Sequence, residues 1–234
     1  MPINQRRPRI ALLLPALNEE RALPKVFAEL PRDIFSQIIV VDNASTDRTA
    51  AVANSLGAKV VAEPRRGYGQ ACLAGLGRLA SDTDIVVFLD ADGSDVPGEV
   101  QRLLGPILAD KADLVIGSRI LGQAEPGALT RQQRWGNRLA TTLIRLLFGF
   151  RYTDLGPFRA LRRARLQELT MQDRNYGWTV EMQIKAVQCG LRVHEVPVSY
   201  RRRVGQSKIS GTAKGSLLAG AKILWTIVRL RFAN

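Results

Sequence analysis

The sequence predicts an α/β fold in which a mostly parallel sheet is flanked by helices, with amphipathic helices in the C-terminal part. Short apolar runs, most of them closed by Pro, Asp or Gly, predict strands at Ile10–Leu14, Ile38–Val41, Lys59–Ala62, Ile85–Leu89 and Asp113–Ile116. Helical patterns lie between these runs. Continuous apolar strands that alternate with helices are typical of a parallel sheet covered on both faces.

Helices in the first half of the chain are predicted from apolar residues at helical spacing. They cover Glu20–Leu30, Thr46–Leu56, Gly69–Ala80 and Pro97–Ala109. Pro97 suits the first turn of a helix, because the N–H group that proline lacks would have no partner there. The first half therefore reads as repeated strand–helix units.

From about Thr130 the alternation stops. The second half is predicted to contain a long helix at Thr130–Gly149, a strand at Phe158–Arg162, a helix at Thr179–Cys189, a strand at Leu191–Tyr200 and a helix at Thr212–Phe232. The sequence has no internal repeat and no linker-like run of Ser, Gly and Pro. We expect one domain over residues 1–211, which includes an amphipathic helix at 130–150, and a C-terminal amphipathic helix at 212–234.

Composition excludes several classes of protein. The 234 residues are 46% hydrophobic and 24% charged, which is typical of a globular protein and excludes a disordered or fibrous chain. One histidine, His194, and two cysteines, Cys72 and Cys189, exclude a disulfide scaffold and argue against zinc chemistry. No run of 18 uncharged apolar residues is present, so we expect a cytoplasmic protein without a membrane-spanning helix.

Polar side chains follow three of the predicted strands. Asn18 and Glu19 come after the first strand, Asp42 after the second, and Asp90 and Asp92 after the fourth. Each residue taken singly is explained as well by helix capping or by the helix dipole. Because ligands of open parallel sheets bind at the carboxyl ends of the strands, the set as a whole predicts a ligand site there.

Asp90 and Asp92 are the most informative of these residues. Two carboxylates one residue apart on an extended segment point to the same side, where they can hold a divalent cation. Mg²⁺ or Mn²⁺ held in this way takes its remaining ligands from phosphates and water, so the pair predicts a nucleoside diphosphate. The alternative is a helix-capping turn, with Ser94 or Asp95 as the cap of the helix that begins near Pro97.

The densest basic run lies near the C-terminus, at Arg201–Arg203 with Ser207 and Lys208. It is either a solvated loop or a loop that clamps a diphosphate or a lipid phosphate. Nucleic acid is not an expected partner, because aromatic residues make up 6% of the chain and none interrupts this run. No G-x-x-x-x-G-K-[ST] loop occurs, which excludes the common ATPase and kinase classes.

Five motifs occur in order along the chain. They are Pro15-x-x-Asn18-Glu19, Val41-Asp42-x-x-Ser45-x-Asp47, Asp90-Ala91-Asp92, Gly117-Ser118-Arg119 and Phe158-Arg159-Ala160. This set resembles the family 2 glycosyltransferases of GT-A fold, a Rossmann-like fold, and within them the branch of dolichyl-phosphate mannose synthases and polyprenyl-phosphate glycosyltransferases. The resemblance implies an inverting, metal-dependent transfer of a hexose from a UDP- or GDP-linked donor to polyprenyl or dolichyl phosphate at the cytoplasmic membrane face.

The resemblance also implies the site residues. Those implied for the donor site are Pro15, Asn18, Glu19, Asp42, Asp90, Arg202, Ser207 and Lys208. The implied metal ligands, for Mg²⁺ or Mn²⁺, are Asp90 and Asp92. The implied catalytic group is Asp92, Arg119, Arg134 and Glu181. Ser94 departs from the branch, which often has Gln there, and the change removes one candidate metal ligand.

The functional hypotheses differ in the acceptor of the sugar, which is either a phosphate or a hydroxyl group. A polyprenyl phosphate has a second pKa near ~6 and is largely dianionic at pH 7, so it needs no strong general base. A hydroxyl acceptor needs one, and Glu181 is the candidate. The alternative function is therefore a soluble glycosyltransferase that acts on a saccharide or small molecule. A non-catalytic basic module that binds membrane or nucleic acid is a remote third reading.

The two long helices of the second half combine basic and apolar residues. Helices of this type lie in the membrane interface, and the net charge of +13 favours anionic lipid. We expect a peripheral contact with the inner membrane face, anchored by Trp135, Phe148, Trp225 and Phe232. The alternatives are ordinary packing on the sheet and a homodimer interface.

Overall fold

A seven-stranded sheet forms the centre of the structure, a computed structural model that describes residues 6–205 and 213–232. The strands are β1 (Ile10–Ala16), β2 (Gln37–Asp42), β3 (Lys59–Ala62), β4 (Ile85–Phe88), β5 (Leu114–Ser118), β6 (Arg159–Arg162) and β7 (Val193–Pro197). Their order is β3-β2-β1-β4-β6-β5-β7. Strand β6 runs antiparallel to β4 and β5, and the other pairings are parallel. The predicted fold class is confirmed.

Helices cover both faces of this sheet. They are α1 (Leu23–Glu29), α2 (Thr49–Ser55), α3 (Tyr68–Leu76), α4 (Val100–Leu108), α5 (Arg131–Phe148), α6 (Arg163–Glu168), α7 (Trp178–Gln188) and α8 (Ala213–Phe232). Because side chains alternate along a strand, Leu12 and Leu14 of β1 pack with α1, α2 and α4, while Leu13 packs with the helices on the other face. These two apolar layers hold the sheet rigid beneath its carboxyl edge.

The strands and long helices predicted from sequence are present, with ends that shift by about a turn or less. Two features were not predicted. The first is helix α6, a short, charged segment without apolar residues at helical spacing. The second is the antiparallel direction of β6, because an apolar run such as Phe158–Arg162 carries no information on strand direction. The reversed β6 places Arg159 beside Phe88 and Ile116, in the middle of the sheet.

Helix α5 has well-defined ends, which matters because one of its faces borders the functional cleft. Thr130 and Gln133 form a reciprocal pair of side-chain to backbone hydrogen bonds at its start. Gly149 ends the helix with a φ of 73°, a left-handed conformation that favours glycine. These two signals explain why the sequence prediction of this helix was accurate to one residue at each end.

Helix α8 packs against α5 and α7, and Thr226, Ile227 and Leu230 are its buried residues. In residues 6–205 and 213–232, no helix is long and apolar enough to cross a membrane. The division of the chain into a domain at 1–211 and a separate C-terminal helix stays a prediction.

Candidate active site

A cleft of about 1020 Å³ opens at the carboxyl edge of the sheet. The segments that follow β1 and β4, the start of α3, one face of α5, the N-terminal half of α8 and residues 203–205 form its walls. Of the residues implied by sequence, it brings together Pro15, Asn18, Glu19, Asp90, Asp92 and Arg119. The site therefore lies where a parallel sheet was expected to bind its ligand.

Asp90 and Asp92 lie in this cleft with different partners. The Tyr68 hydroxyl donates to Asp90 Oδ1 at 3.0 Å. Asp92 Oδ1 accepts from the Ser94 amide at 2.9 Å and from its hydroxyl at 2.5 Å. Asp92 Oδ2 forms a salt bridge of 3.1 Å with Arg203. Tyr68 therefore orients the carboxylate of Asp90, and Ser94 orients that of Asp92.

The electrostatics of the pair indicate a shortage of positive charge. Burial and, second, the neighbouring charge of Asp92 raise the pKa of Asp90 from 3.8 to about 7, against the opposing charge of Arg203. Two buried carboxylates that repel each other favour either a proton or a bound cation. The oxygen donors fit Mg²⁺ or Mn²⁺, which both prefer carboxylate ligands.

Asp95 adds a third buried carboxylate close by. It is 1% exposed, and within the described residues neither of its oxygens has a hydrogen-bond partner. Burial and the charges of Asp90 and Asp92 raise its pKa well above the ordinary value. It does not cap a helix, since Pro97–Glu99 form a 3-10 turn ahead of α4 without a side-chain cap, and the same holds for Ser94. The predicted capping role of Ser94 or Asp95 is wrong.

The described part of the chain contains no group of three His, Cys, Asp or Glu residues arranged to hold a metal ion. A metal in this cleft would therefore take two carboxylates, Asp90 and Asp92, from the protein. Phosphate and water oxygens would supply its other ligands. This is the usual arrangement for Mg²⁺ bound with a nucleoside diphosphate or triphosphate.

Arg119 is a fixed cation at the cleft. Its Nε and Nη2 donate to Asp154 at 2.8 and 2.7 Å, and its guanidinium lies 5.0 Å from the centre of the Tyr200 ring. Asp154 is fully buried, and its backbone N–H donates to Glu195, which also holds Thr153. Because a bidentate pair fixes the plane of a guanidinium, Arg119 is positioned before any ligand arrives.

Glu181 is not at the cleft. Its carboxylate is fully buried, forms a 2.8 Å salt bridge with Lys185, and accepts the backbone N–H groups of Gln172 and Asp173 at 3.1 and 2.7 Å. Those donors satisfy the carboxylate and separate it from any acceptor. The predicted role of Glu181 as general base is therefore corrected: it holds the segment at 172–173 against α7.

Other implied residues are placed outside the cleft lining. Arg134 is exposed on α5, although its neighbours Gln133 and Asn137 do line the cleft. The Arg202 guanidinium donates to the carbonyl of Pro126 at 2.7 and 2.9 Å. Roles for Arg134 and Arg202 at the phosphates are not supported by these positions.

Two further predictions concern the donor pocket and its loop. Asp42 ends β2 and accepts the Ser45 N–H at 3.1 Å without lining the cleft, so its role in base binding stays a prediction. Ser207 and Lys208 lie outside the described residues.

Sequence reasoning gave no individual site role to Tyr68 or Asn43, and it named Arg203 only as part of the basic run at 201–203. Tyr68 lies in Gly67-Tyr68-Gly69, which does not match a dinucleotide-binding fingerprint. The Asn43 side chain donates to the carbonyls of Glu63 and Arg65 and accepts the Gly67 N–H, which fixes the loop that carries Tyr68. Only this three-dimensional contact set distinguishes Asn43 from its neighbours.

Gly67 is required by close backbone contact. Its φ is 149°, and a Cβ atom there would lie 2.2 Å from the carbonyl oxygen of Arg174. The loop before α3 therefore lies directly on the segment at 173–176, which lines the other side of the cleft. A larger residue at position 67 would push Tyr68 away from Asp90.

Comparisons with known proteins agree with this geometry. The model for "Glycosyl transferase family 2" matches residues 12–170. An uncharacterised glycosyltransferase of Mycobacterium tuberculosis is 41% identical over 218 residues, 90% of this chain and 94% of the relative. A dolichyl-phosphate hexose transferase of Haloferax volcanii is 32% identical over 212 residues, 89% of this chain and 90% of the relative.

A solved structure gives the same fold. Glucosyl-3-phosphoglycerate synthase of Mycobacterium tuberculosis, crystallised with Mn²⁺, UDP-glucose and phosphoglyceric acid, superposes with a TM-score of 0.75 at 26% identity. The match covers 94% of this chain and 80% of that one.

Proposed function

The chain belongs to glycosyl transferase family 2, and from that membership we propose that it transfers a hexose from a UDP- or GDP-linked donor to a polyprenyl phosphate, with inversion at the anomeric carbon. The observation that carries the proposal is one cleft that holds Asp90 and Asp92 next to the guanidinium groups of Arg119 and Arg203. Carboxylates that bind a cation and arginines that bind phosphates are together what a nucleoside diphosphate requires.

Asp90 and Asp92 are the residues that would hold Mg²⁺ or Mn²⁺, which, when bound, neutralises charge on the leaving diphosphate. The chain's own contribution is orientation. Tyr68 fixes Asp90, Ser94 fixes Asp92, and Asp154 fixes Arg119. Groups held in this way before binding cost little reorganisation when negative charge develops in the transition state.

A phosphate acceptor agrees with the buried position of Glu181, the general base expected from sequence. Glu181 is satisfied elsewhere, and an ionised phosphate oxygen can attack the sugar without losing a proton. The cleft also extends between α5 and α8, where Gln133 and Asn137 face Ala219 and Ile223. The similarity to a dolichyl-phosphate hexose transferase supports a lipid phosphate as the acceptor.

A small phosphorylated acceptor is the second candidate. It is favoured by the solved glucosyl-3-phosphoglycerate synthase, which was crystallised with phosphoglyceric acid. A hydroxyl acceptor of this kind needs a general base, and Glu181 cannot supply it from its buried position.

Transfer assays separate the two candidates. UDP- and GDP-hexoses are incubated with Mn²⁺ and either a short-chain polyprenyl phosphate or 3-phosphoglycerate, and the labelled product is partitioned between butanol and water. We expect label in the lipid phase with one of the two nucleotides. Label only in the aqueous product would favour the second candidate, and no transfer to either acceptor would contradict the proposal.

We also propose a peripheral membrane contact through α5 and α8. Exposed apolar side chains of α8 recur at 3–4 residue spacing, at Leu218, Ala221, Trp225, Val228 and Phe232. Trp135 and Leu146 of α5 are 69% and 73% exposed. Phe148, named as an anchor from sequence, instead packs half-buried against the core, so Leu146 takes its place.

Basic residues on the same helices suit an anionic lipid surface. Arg131, Arg134, Arg138 and Arg145 of α5 are exposed. Each contributes ~1 kcal/mol near such a surface. Sedimentation with vesicles of anionic lipid tests the contact: we expect binding that falls with salt and that Trp225→Glu with Trp135→Glu removes. A dimer by light scattering that the same double variant dissociates, without vesicle binding, would assign this face to a homodimer.

A further inference from the structure

Arg203 forms an ion pair with Asp92, one of the two carboxylates that would bind a metal. Its guanidinium lies 3.1 Å from Asp92 Oδ2, and the next backbone N–H, that of Val204, donates to the Asp92 carbonyl at 2.9 Å. The side chain of Asp92 is 7% exposed and that of Arg203 is 29% exposed. A buried carboxylate is therefore covered by a cation that itself still reaches solvent.

The neighbouring arginines do not pair with Asp90 or Asp92. Arg119 is fixed by the bidentate pair with Asp154, and Arg202 donates to the Pro126 carbonyl. Arg66 lines the cleft, and within residues 6–205 and 213–232 it makes no ion pair. Of these four arginines, Arg203 alone pairs with the carboxylates at the end of β4.

A divalent cation on Oδ2 of Asp92 would lie about 4 Å from the guanidinium of Arg203, and like charges at this distance in a poorly solvated cleft repel strongly. Metal binding at this oxygen therefore disfavours the contact between Arg203 and Asp92. A nucleoside diphosphate that arrives with the metal offers the guanidinium new oxygens, with which arginine forms bidentate hydrogen bonds.

We propose that Arg203 is an exchangeable counter-cation: it holds Asp92 while the cleft is free of donor, gives up this carboxylate when the divalent cation binds, and then pairs with the donor diphosphate. This inference rests on the proposed function and deepens it. Arg203 acts here as a positioning residue for the carboxylate pair. It also makes tight metal binding dependent on the donor.

The proposal predicts effects of opposite sign in one variant. In Arg203→Gln, Mn²⁺ alone binds about fivefold more tightly, because the competing cation is gone. UDP or GDP in the presence of saturating Mn²⁺ binds about tenfold more weakly, because a charge-assisted phosphate contact is lost. If Arg203 only stabilised the loop, its substitution would not strengthen the binding of Mn²⁺ while weakening the binding of the nucleotide.

Calorimetric and electron paramagnetic resonance titrations with Mn²⁺ alone test the first effect on the full chain. Two matched controls each remove one positive charge: Arg202→Gln next in sequence, and Arg66→Gln on the cleft wall. We expect tighter Mn²⁺ binding in Arg203→Gln and less than twofold change in either control. Equal tightening in a control would assign the effect to net charge and would overturn the exchange.

Failure of this inference is distinguishable from failure of the proposed function. If the wild type binds UDP or GDP with Mn²⁺ but Arg203→Gln, folded by thermal melting, binds Mn²⁺ no more tightly, only the exchange is wrong. If neither protein binds Mn²⁺, with or without nucleoside diphosphate, both proposals are wrong.

Discussion

Two regions of this molecule bury carboxylates in opposite ways. Glu181 is a buried residue of α7, and a lysine and two backbone N–H groups surround its carboxylate. Asp90 lies at the end of β4 with one hydroxyl donor and a second carboxylate for a neighbour, and its pKa is raised to about 7. Both acids are shielded from solvent, Glu181 fully and Asp90 partly, yet only Glu181 is satisfied by its own chain.

From this difference we infer that Glu181 serves the structure, and it supports the proposal that Asp90 serves a ligand. A satisfied carboxylate fixes the segments that donate to it, as Glu181 fixes residues 172–173. An under-compensated carboxylate destabilises the fold and persists where a bound group supplies the missing charge. Four predictions test this distinction.

The largest effect is expected at the pair of carboxylates that follows β4. Asp92→Asn and Asp90→Asn each reduce kcat about 10³-fold, because several kcal/mol of charge stabilisation by the metal is lost. Unfolding in urea shows little loss of stability for Asp90→Asn, since an amide relieves the repulsion between the two carboxylates. Asp92→Asn loses more stability, because it also removes the ion pair with Arg203. Transfer rates within tenfold of the wild type would refute the assignment.

The reverse pattern is expected at Glu181. Glu181→Gln leaves the half-buried Lys185 without its counter-ion and lowers the free energy of unfolding by about 3 kcal/mol. The kcat of the folded variant changes less than about threefold, because no reacting group is altered. Urea unfolding and initial rates measure the two effects. A large kcat loss with unchanged stability would restore the role of general base.

The pH dependence of stability gives a third test. The folded pKa of Asp90 is raised from 3.8 to about 7, so the folded protein binds this proton more tightly than the unfolded chain. The resulting stabilisation is present below about pH 4 and is lost as the pH rises to about 7. In EDTA, the melting temperature of Asp90→Asn relative to wild type therefore rises across this range.

Asp82→Asn is the control for this measurement, because Asp82 is an exposed residue paired with Arg9. We expect the melting temperature of Asp82→Asn to change with pH as that of the wild type does. A difference in melting temperature between Asp90→Asn and the wild type that is the same at every pH would contradict the raised pKa of Asp90.

The smallest effect concerns orientation. Tyr68→Phe removes the hydroxyl that donates to Asp90 at 3.0 Å and weakens Mn²⁺ binding about fivefold. Tyr176→Phe is the matched control, since Tyr176 lines the same cleft and makes no hydrogen bond to a carboxylate in the described part of the chain. Equal titration curves for the two variants would remove Tyr68 from the site.

Much of the fold was predictable because it depends on local patterns. Apolar runs closed by turn residues locate β1 to β5, and the capping residues Thr130 and Gly149 locate α5. The antiparallel direction of β6 was not predictable, since it depends on the path of the chain between α5 and the sheet.

The candidate site also contains residues that the sequence could predict and residues that it could not. Asp90 and Asp92 were found because a short motif at a strand end has a direct chemical meaning. Arg203 and Arg202 are adjacent in a basic run, and sequence cannot say which one turns to Asp92 and which to Pro126. Glu181 illustrates the converse: a motif match gave it a role that its buried contacts do not support.

Metal-dependent nucleotide binding tests the central claim most directly. UDP and GDP are titrated calorimetrically into the wild type and into the Asp90→Asn, Asp92→Asn double variant, each with Mn²⁺ and with EDTA. Our interpretation predicts that one nucleotide binds the wild type only when Mn²⁺ is present, and that the double variant binds neither. Equal affinity with and without the metal, or in the double variant, would show that these two carboxylates do not bind a cation for the donor.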